Sequence, residues 1–371
     1  MNSLKIFVDG HVFDKEHQGT KTFIRELYKQ LIDRPDIEIF IAAQNTDTLQ
    51  EEFGKRSNLS FIKYRSKSPL LRLSLELPYI LKKIRPDYAH FQYVVPPIKF
   101  CKYIVTTHDL LFKDFPGEFP LSYRLSKDFL FKNSIKISDV ITTVSEYSRE
   151  AISRHYGLNI SDISVIPNGV GSLYFEPYDK RISKQKIQSR FGVKDYILYV
   201  SRIEPRKQQK LLISAYLDLK LYNRGISLVF IGHESIVDPE FNNLINSVPE
   251  DYRPLVKILK NISDEDLMEF YRAAELFVYP SSAEGFGIPP LESAALKIPT
   301  ISTNATAMQD FTFFDSFHVN ADRESITQAV KRFIEDKDAI SSNDLSNIQA
   351  QIRQKYSWKT SAERLVSLLK K

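Results

Sequence analysis

The sequence predicts an α/β protein built from two doubly wound domains. Three observations carry this. The chain has 371 residues, the length of about two domains. Short apolar runs, each closing in a polar or glycine-bearing loop and followed by helical spacing, recur in one series from Leu4 and in a second from Tyr196. The stretch Glu275 to Glu292 shows the repeating unit complete. Leu276 to Tyr279 reads as a strand, Ser281, Ser282, Gly285 and Gly287 as a loop, and Pro289 and Pro290 as a first helical turn, with Leu291, Ala294, Ala295 and Leu296 at helical spacing.

In an open α/β sheet, ligands sit beyond the carboxyl ends of the strands. Glycines there let a phosphate approach the backbone, and the free N–H groups of a helix start face it. Glu284 and Glu292 bracket this loop, and each carboxylate can accept paired hydrogen bonds from sugar or ribose hydroxyls. For Glu292, expected in the first helical turn, the alternative is a glutamate placed for the helix dipole. A capping box is excluded because residue 289 is proline. On pattern alone, a phosphate site and an ordinary strand-to-helix loop both stay open.

The bulk numbers bound the class. Hydrophobic residues are 43% and charged residues 26%, which is ordinary for a globular chain. A single cysteine, Cys101, excludes a disulfide framework and a cysteine zinc site. No apolar run approaches the roughly 20 residues that span a bilayer. The opening Met1-Asn-Ser-Leu-Lys-Ile-Phe-Val leads into a strand rather than a signal peptide. A net charge of +5 suits phosphates or an anionic membrane surface and does not call for nucleic acid.

The first series runs as follows. Leu4–Val8 is a strand ending in Asp9-Gly10, and Phe23, Ile24, Leu27 and Leu31 give the helix after Gly19. Gly-x-Gly-x-x-Gly is absent, so there is no dinucleotide fingerprint. Ile37–Ala42 is a strand. Residues 61–86 mix Lys63, Arg65, Lys67, Arg72, Lys82, Lys83 and Arg85 with leucines against one acid, Glu76. Such a stretch either lies on an anionic membrane or packs on the core with a solvated basic face. Tyr88–Tyr93 is a strand, which puts His90 and Gln92 at its end as candidate pocket residues. Ile104–Thr107 is another, ending in His108-Asp109, so His108 should face a ligand and can move a proton near neutral pH. A buried, backbone-bonded histidine is the alternative. Asp109 is expected to fix a backbone or the histidine. A long helix over 123–137, a strand over 139–144, a helix capped by Ser145, and a strand over 163–166 complete the domain. A linker is expected over 171–180.

The second series opens at Tyr196–Val200 and makes a second, Rossmann-like domain. Ser201-Arg202-Ile-Glu-Pro-Arg206-Lys207 follows; arginine and lysine in a strand-to-helix loop suit a diphosphate. Arg206 is expected to point away. Leu228–Ile231 ends in Gly232, Val256–Leu259 leads to Ile262 and a helix capped by Ser263, and Thr300–Thr303 follows the central stretch.

Glu284-Gly-Phe-Gly-x-Pro-x-Leu-Glu292 resembles the Glu-x7-Glu motif of retaining glycosyltransferases of family 4 (group 1). Thr-His-Asp-Leu at 107–110, Val-Ser-Glu-Tyr-Ser at 144–148 and Ile-Pro-Asn-Gly-Val at 166–170 resemble further motifs of that family. Residues 201–207 resemble its Gly-Arg-x-x-Pro-x-Lys loop, with serine for the glycine. The resemblance covers nearly the whole chain. It implies the GT-B fold, with two Rossmann-like domains facing across a cleft and a C-terminal helix crossing back to the first. The implied domains are residues 1–175 with 357–371, and 176–356. The implied co-substrate is a nucleotide-diphosphate sugar, with no cofactor and no metal. Arg202 and Lys207 would hold the pyrophosphate. His108 and Glu284 would meet the donor sugar, and Gly285, Phe286, Gly287 and Ile288 would form the donor loop. Glu292 would take the ribose, Gly232 would admit the nucleotide, and backbone near Ile262 would meet the base. Gly19 would lie near sugar and acceptor, beside the acceptor-side His90, Gln92 and Asp109. The expected reaction is metal-independent hexosyl transfer with retention, mannose from GDP-mannose being favoured, to a saccharide or lipid-linked saccharide in surface polysaccharide or lipopolysaccharide assembly. The alternatives are a UDP-sugar donor or a non-catalytic sugar-nucleotide-binding subunit. The expected location is the cytoplasm, at the inner membrane face.

Overall fold

A computed structural model describes residues 3–14, 19–336 and 341–370. Its contacts divide the chain into two units, Met1–Gly169 with Tyr356–Lys371, and Val170–Lys355. Each is built on one parallel sheet, as strand-loop-helix repeats require: parallel neighbours need a long crossover, and the crossover helices cover both faces.

The first sheet contains β1 (Leu4–Asp9), β2 (Ile37–Ala43), β3 (Leu59–Lys63), β4 (Tyr88–Gln92), β5 (Lys102–Thr106), β6 (Val140–Thr143) and β7 (Ile163–Val165), in the order 3-2-1-4-5-6-7. The second contains β8 (Tyr196–Val200), β9 (Ser227–Ile231), β10 (Val256–Leu259), β11 (Leu276–Tyr279), β12 (Thr300–Thr303) and β13 (His318–Val319), in the order 10-9-8-11-12-13. Every residue of β4, β9, β11 and β12 is buried, and Leu228–Ile231 and Leu276–Tyr279 accordingly read as apolar runs, whereas β4 and β12 also bury polar side chains. Strand order reverses between β1 and β4 in one unit and between β8 and β11 in the other. At such a reversal the flanking loops diverge and leave a crevice at the carboxyl edge.

Ser145 and Ser263 cap their helices as expected, accepting from the amides of Ser148 and Asp266. Helix Trp358–Leu369 belongs to the first unit. Trp358 packs edge-on to Phe23, Ser361 Oγ donates to the Pro167 carbonyl at 2.7 Å, and the Tyr88 hydroxyl donates to the Leu369 carbonyl at 3.1 Å. A side chain on Gly169 would run into the Trp358 backbone at 2.4 Å, so glycine there lets the helix seat.

Two expectations need correction. Residues 61–86 are not one amphipathic element: 61–63 complete β3, and the helix comes in pieces, Pro69–Leu71, a π turn Arg72–Glu76, and Leu77–Ile84. Glu292 lies one turn deeper than expected, since its helix is Ile288–Ala295. The edge strand β13 has only two residues and leaves no periodic signal in the sequence. Among the described residues no helix is long and apolar enough to cross a membrane.

Candidate functional site

In the second unit the expected donor residues gather at the carboxyl edge, where the loops after β8 and β11 meet. The loop after β8 makes a short helical turn, Pro205–Lys207, and Gln208 follows in the left-handed region at φ 51°. That geometry turns both Arg206 and Lys207 toward the loop after β11. Lys207 Nζ lies 2.5 Å from Glu284 Oε1 and 3.1 Å from the Tyr279 hydroxyl. The same carboxylate oxygen accepts from the Tyr279 hydroxyl and Ser281 Oγ, each at 2.8 Å. Glu284 is braced through its backbone as well, its N–H donating to Thr306 Oγ1 at 2.8 Å.

Arg206 does not point away. It donates to the Ala283 carbonyl and to Glu204, and sits 3.5 Å from Glu284 Oε2. Glu204, which is buried, also accepts from Ser235 Oγ at 3.0 Å, so the loops after β8, β9 and β11 are tied together through one Glu204–Arg206 pair. Burial alone would push the Glu284 carboxyl upward. Lys207 and Arg206 outweigh it, and the pKa falls to about 2. Arg202 is the more open cation here: its side chain is 60% exposed, with Nη2 3.9 Å from Glu204 Oε1.

Two glycines earn their place by close approach. A Cβ on Gly232 would lie 1.9 Å from the Ser201 carbonyl oxygen. One on Gly287, at φ 93°, would lie 2.7 Å from Met308 Cγ. Phe286 is buried edge-on to Phe311, so its side chain is core and only its backbone can serve a ligand. Gly285 and Ile288 are half-buried beside it, and Ile262 is half-buried in the turn before helix Asp264–Ala273. Glu292 is set apart from the cations. Its carboxyl accepts from the Tyr271 hydroxyl at 3.1 Å and from Tyr174, and burial raises its pKa to about 7 against their opposing effect.

In the first unit a cavity of about 550 Å³ opens at the carboxyl edge between β1 and β4. Gln92 and Asp109 line it, with His11, Arg72, Tyr93 and Lys127 among their neighbours. Mixed aromatic and hydrogen-bonding walls of this kind suit a sugar. Asp109 accepts from the Leu111 amide at 3.2 Å and the Tyr93 hydroxyl at 3.3 Å, which fixes a backbone as expected. His108 lies behind Gln92, its Nε2 donating to Gln92 Oε1 at 2.5 Å, with Phe23 edge-on to the ring. Burial lowers its pKa to about 3, so the imidazole is a neutral hydrogen-bonding group at neutral pH rather than a proton carrier. His90 does not line the cavity. It is 0% exposed, with both nitrogens engaged by Tyr28 and Thr106, because it faces the core side of a strand buried on both faces. Gly19 opens helix Gly19–Lys29 with open space around it; its neighbour Gln18 lies outside the described residues.

Asp9 went unread in the sequence. It lies beneath the cavity and is held below the usual carboxylate range. Burial opposes ionisation, but His11 at 3.0 Å, Arg72 at 3.8 Å and the Tyr64 hydroxyl at 2.8 Å prevail. An acid closing β1 beside a polar loop was the available signal.

Two Rossmann-like units, each with its polar cluster at the sheet's reversal point, define the GT-B class of glycosyltransferase. Residues 180–353 match the family described as glycosyl transferases group 1, and residues 17–171 match glycosyltransferase family 4. The chain belongs to this family. It is 28% identical over 231 residues to O-antigen chain mannosyltransferase B of Escherichia coli, covering 60% of this chain and 60% of that protein. It is 28% identical over 240 residues to O-antigen chain mannosyltransferase RfbU of Salmonella typhimurium, covering 64% and 62%. The match thus spans less than two thirds of either relative. Among solved structures, a glycosyltransferase from Rickettsia africae superposes with a TM-score of 0.73 at 19% identity over 100% of this chain and 98% of that one. Anabaena HepE in complex with UDP-glucose superposes with a TM-score of 0.76 at 17% identity over 99% of each. These two establish the likeness of fold.

Proposed function

We propose that the protein is a retaining glycosyltransferase that moves mannose from GDP-mannose to a saccharide or lipid-linked saccharide in the assembly of a surface polysaccharide. The observation that carries this reading is the Lys207–Glu284–Arg206 cluster at the reversal point of the second sheet. An anionic donor entering there meets cations already oriented and desolvated, the condition under which charge stabilisation is strongest. Arg202 and Lys207 take the diphosphate, the backbone at Gly285 and Gly287 closes on it, Glu284 holds the sugar hydroxyls, and Glu292 the ribose. The bond from the anomeric carbon to the diphosphate breaks as one to the acceptor oxygen forms on the same face. The acceptor's proton passes to a diphosphate oxygen. The loop's cations, in place of a divalent ion, offset the charge on the leaving group. His108 and Gln92 orient sugar hydroxyls as neutral partners, with Asp109 on the acceptor side. Mannose is favoured because the relatives above are named mannosyltransferases. The site of action is the cytoplasmic face of the membrane, with 61–86 as a point of contact.

The test is thermal denaturation with GDP, UDP and their sugar conjugates, without divalent metal, followed by transfer assays with the conjugate that binds. Selective stabilisation by GDP and GDP-mannose is expected, because a ligand that binds only the folded state raises its melting temperature. A shift with UDP-sugars alone would reassign the donor. Binding without transfer to any saccharide would reduce the protein to a sugar-nucleotide-binding subunit.

A further inference from the structure

The loop after β8 buries an acid among the cations of an anion site. Glu204 is 6% exposed. Its Oε1 takes the Arg206 guanidinium and lies 3.9 Å from Arg202 Nη2, and its Oε2 accepts from Ser235 Oγ at 3.0 Å. Burying a carboxylate is costly, and these contacts offset the cost. Bracing the loops would be one reason to keep it, but the backbone already does that. The Ile203 amide donates to the His233 carbonyl at 2.8 Å and the Ser235 amide to the Ile203 carbonyl at 3.0 Å, which fastens the loops after β8 and β9 together. The Ser282 amide donates to the Arg206 carbonyl at 3.1 Å and fastens the loop after β11. Gln209, fully buried, holds the backbone of Glu204 itself. In the amide orientation that pairs both ends, it donates to the Glu204 carbonyl at 3.0 Å and accepts from the Glu204 amide at 2.9 Å.

Charge gives the carboxylate a use. Arg202, Arg206 and Lys207 face two acids, Glu204 and Glu284, and the two differ. Glu284 is enclosed by Lys207, Tyr279 and Ser281. Glu204 sits on the two arginines, and one of them, Arg202, is open enough to leave it. An ion pair with an exposed arginine is weak and is readily exchanged. Diphosphate oxygens bind a guanidinium as a carboxylate does. A diphosphate in this loop therefore competes with Glu204 for the same donors. The carboxylate, held by Ser235 and by its anchored backbone, stays where it is, and like charges brought together lose affinity. The penalty is greatest after transfer, because the freed diphosphate carries one more ionisable oxygen than its sugar ester.

We propose that Glu204 is an internal competitor for the diphosphate. It holds Arg202 and Arg206 in place before the donor arrives and repels the spent nucleotide diphosphate afterwards, which speeds its release. Release of product sets turnover in many enzymes. The proposal rests on the reading of this loop as the diphosphate site. Binding of GDP, UDP and inorganic pyrophosphate to the whole protein is measured by calorimetry, without divalent metal and well below the melting temperature of each variant. Dissociation of nucleotide is followed by stopped flow. Glu204→Gln keeps the shape of the side chain and removes its charge. It should bind the nucleotide that the parent binds about tenfold more tightly, as loss of one nearby like charge in a partly screened site allows, and release it more slowly by a similar factor. With the sugar donor that the parent uses, KM and kcat should fall together. Glu204→Asp, which keeps the charge but draws it back by one carbon, should fall between the two. In an Arg202→Ala background the tightening should shrink, because one of the two arginines that Glu204 restrains is gone. Equal or weaker binding in Glu204→Gln, with the parent binding normally, overturns the proposal, makes Glu204 a brace and leaves the proposed function standing. Tighter binding without slower release overturns it as well. Failure of the parent and of Glu204→Gln to bind any of the three probes would remove the diphosphate site, and this proposal with it.

Discussion

Glu284 and Lys207 form a buried ion pair, with Arg206 as a second cation on the other carboxylate oxygen. Breaking a buried pair leaves the survivor unpaired, at a typical cost of about 3–5 kcal/mol. Lys207→Ala and Glu284→Ala are therefore expected to lower the urea midpoint as well as turnover, and combining them should cost less than the sum of the two. Arg202, exposed and outside that pair, separates the effects. Arg202→Ala should leave the midpoint alone and reduce turnover by about 10²–10³, the usual loss for one group that stabilises transition-state charge. Wild-type turnover in that variant would remove Arg202 from the diphosphate site. Glu292 gives a pH signature of the opposite sign to Glu284. Its folded pKa, about 7, stands above the ordinary 4.5. The folded state thus holds the proton more tightly, and its contribution to stability is complete below pH 4.5 and lost as pH rises through 7. Melting temperatures followed from pH 4.5 to 8 should fall less in Glu292→Gln than in the parent. For Glu284, depressed to about 2, the contribution is present at neutral pH and lost only as pH falls from 4.5 toward 2.

Elements explain which parts of this were legible in the sequence. The strands flanking each reversal point were readable because burial on both faces demands apolar runs, and Leu276–Tyr279 is one. The caps at Ser145 and Ser263 were readable because a serine accepting an amide at a helix start leaves a local signature. The direction of Arg206 was not. It depends on the short turn Pro205–Lys207 and the left-handed Gln208, and no composition rule requires either. Nor was the cavity readable, since its walls come from loops after β1, β2, β3, β4 and β5 together. Helix Leu121–Ile137 was found, but its apolar residues lie on two sides, so the sequence could not say which side meets the core. Glycines offer a test at this scale. Gly232→Ala would press a methyl group into the Ser201 carbonyl and displace the loop after β8, so it should abolish stabilisation by nucleotide. Gly19→Ala meets nothing within 4 Å at a helix start and should melt no lower than the parent.

At the scale of the molecule, the path of the chain matters more than any one contact. The first unit is discontinuous: the chain leaves it at Gly169, builds the second unit, and returns at Tyr356. Trp358, 5% exposed, is the returning anchor. Trp358→Ala should cost about 3–5 kcal/mol, as truncation of a buried aromatic does. Hydrogen exchange should show that loss in β1 and β4 and spare β8 and β11. The same path sets an order in time. Domains usually fold as they leave the ribosome, the earlier before the later. Here the second unit has all of its strands and helices before Trp358 is made, while the first still lacks the helix that covers Phe23 and Tyr88. The half synthesised first is therefore the half completed last, and during that interval it is the part of the nascent chain that most needs a chaperone.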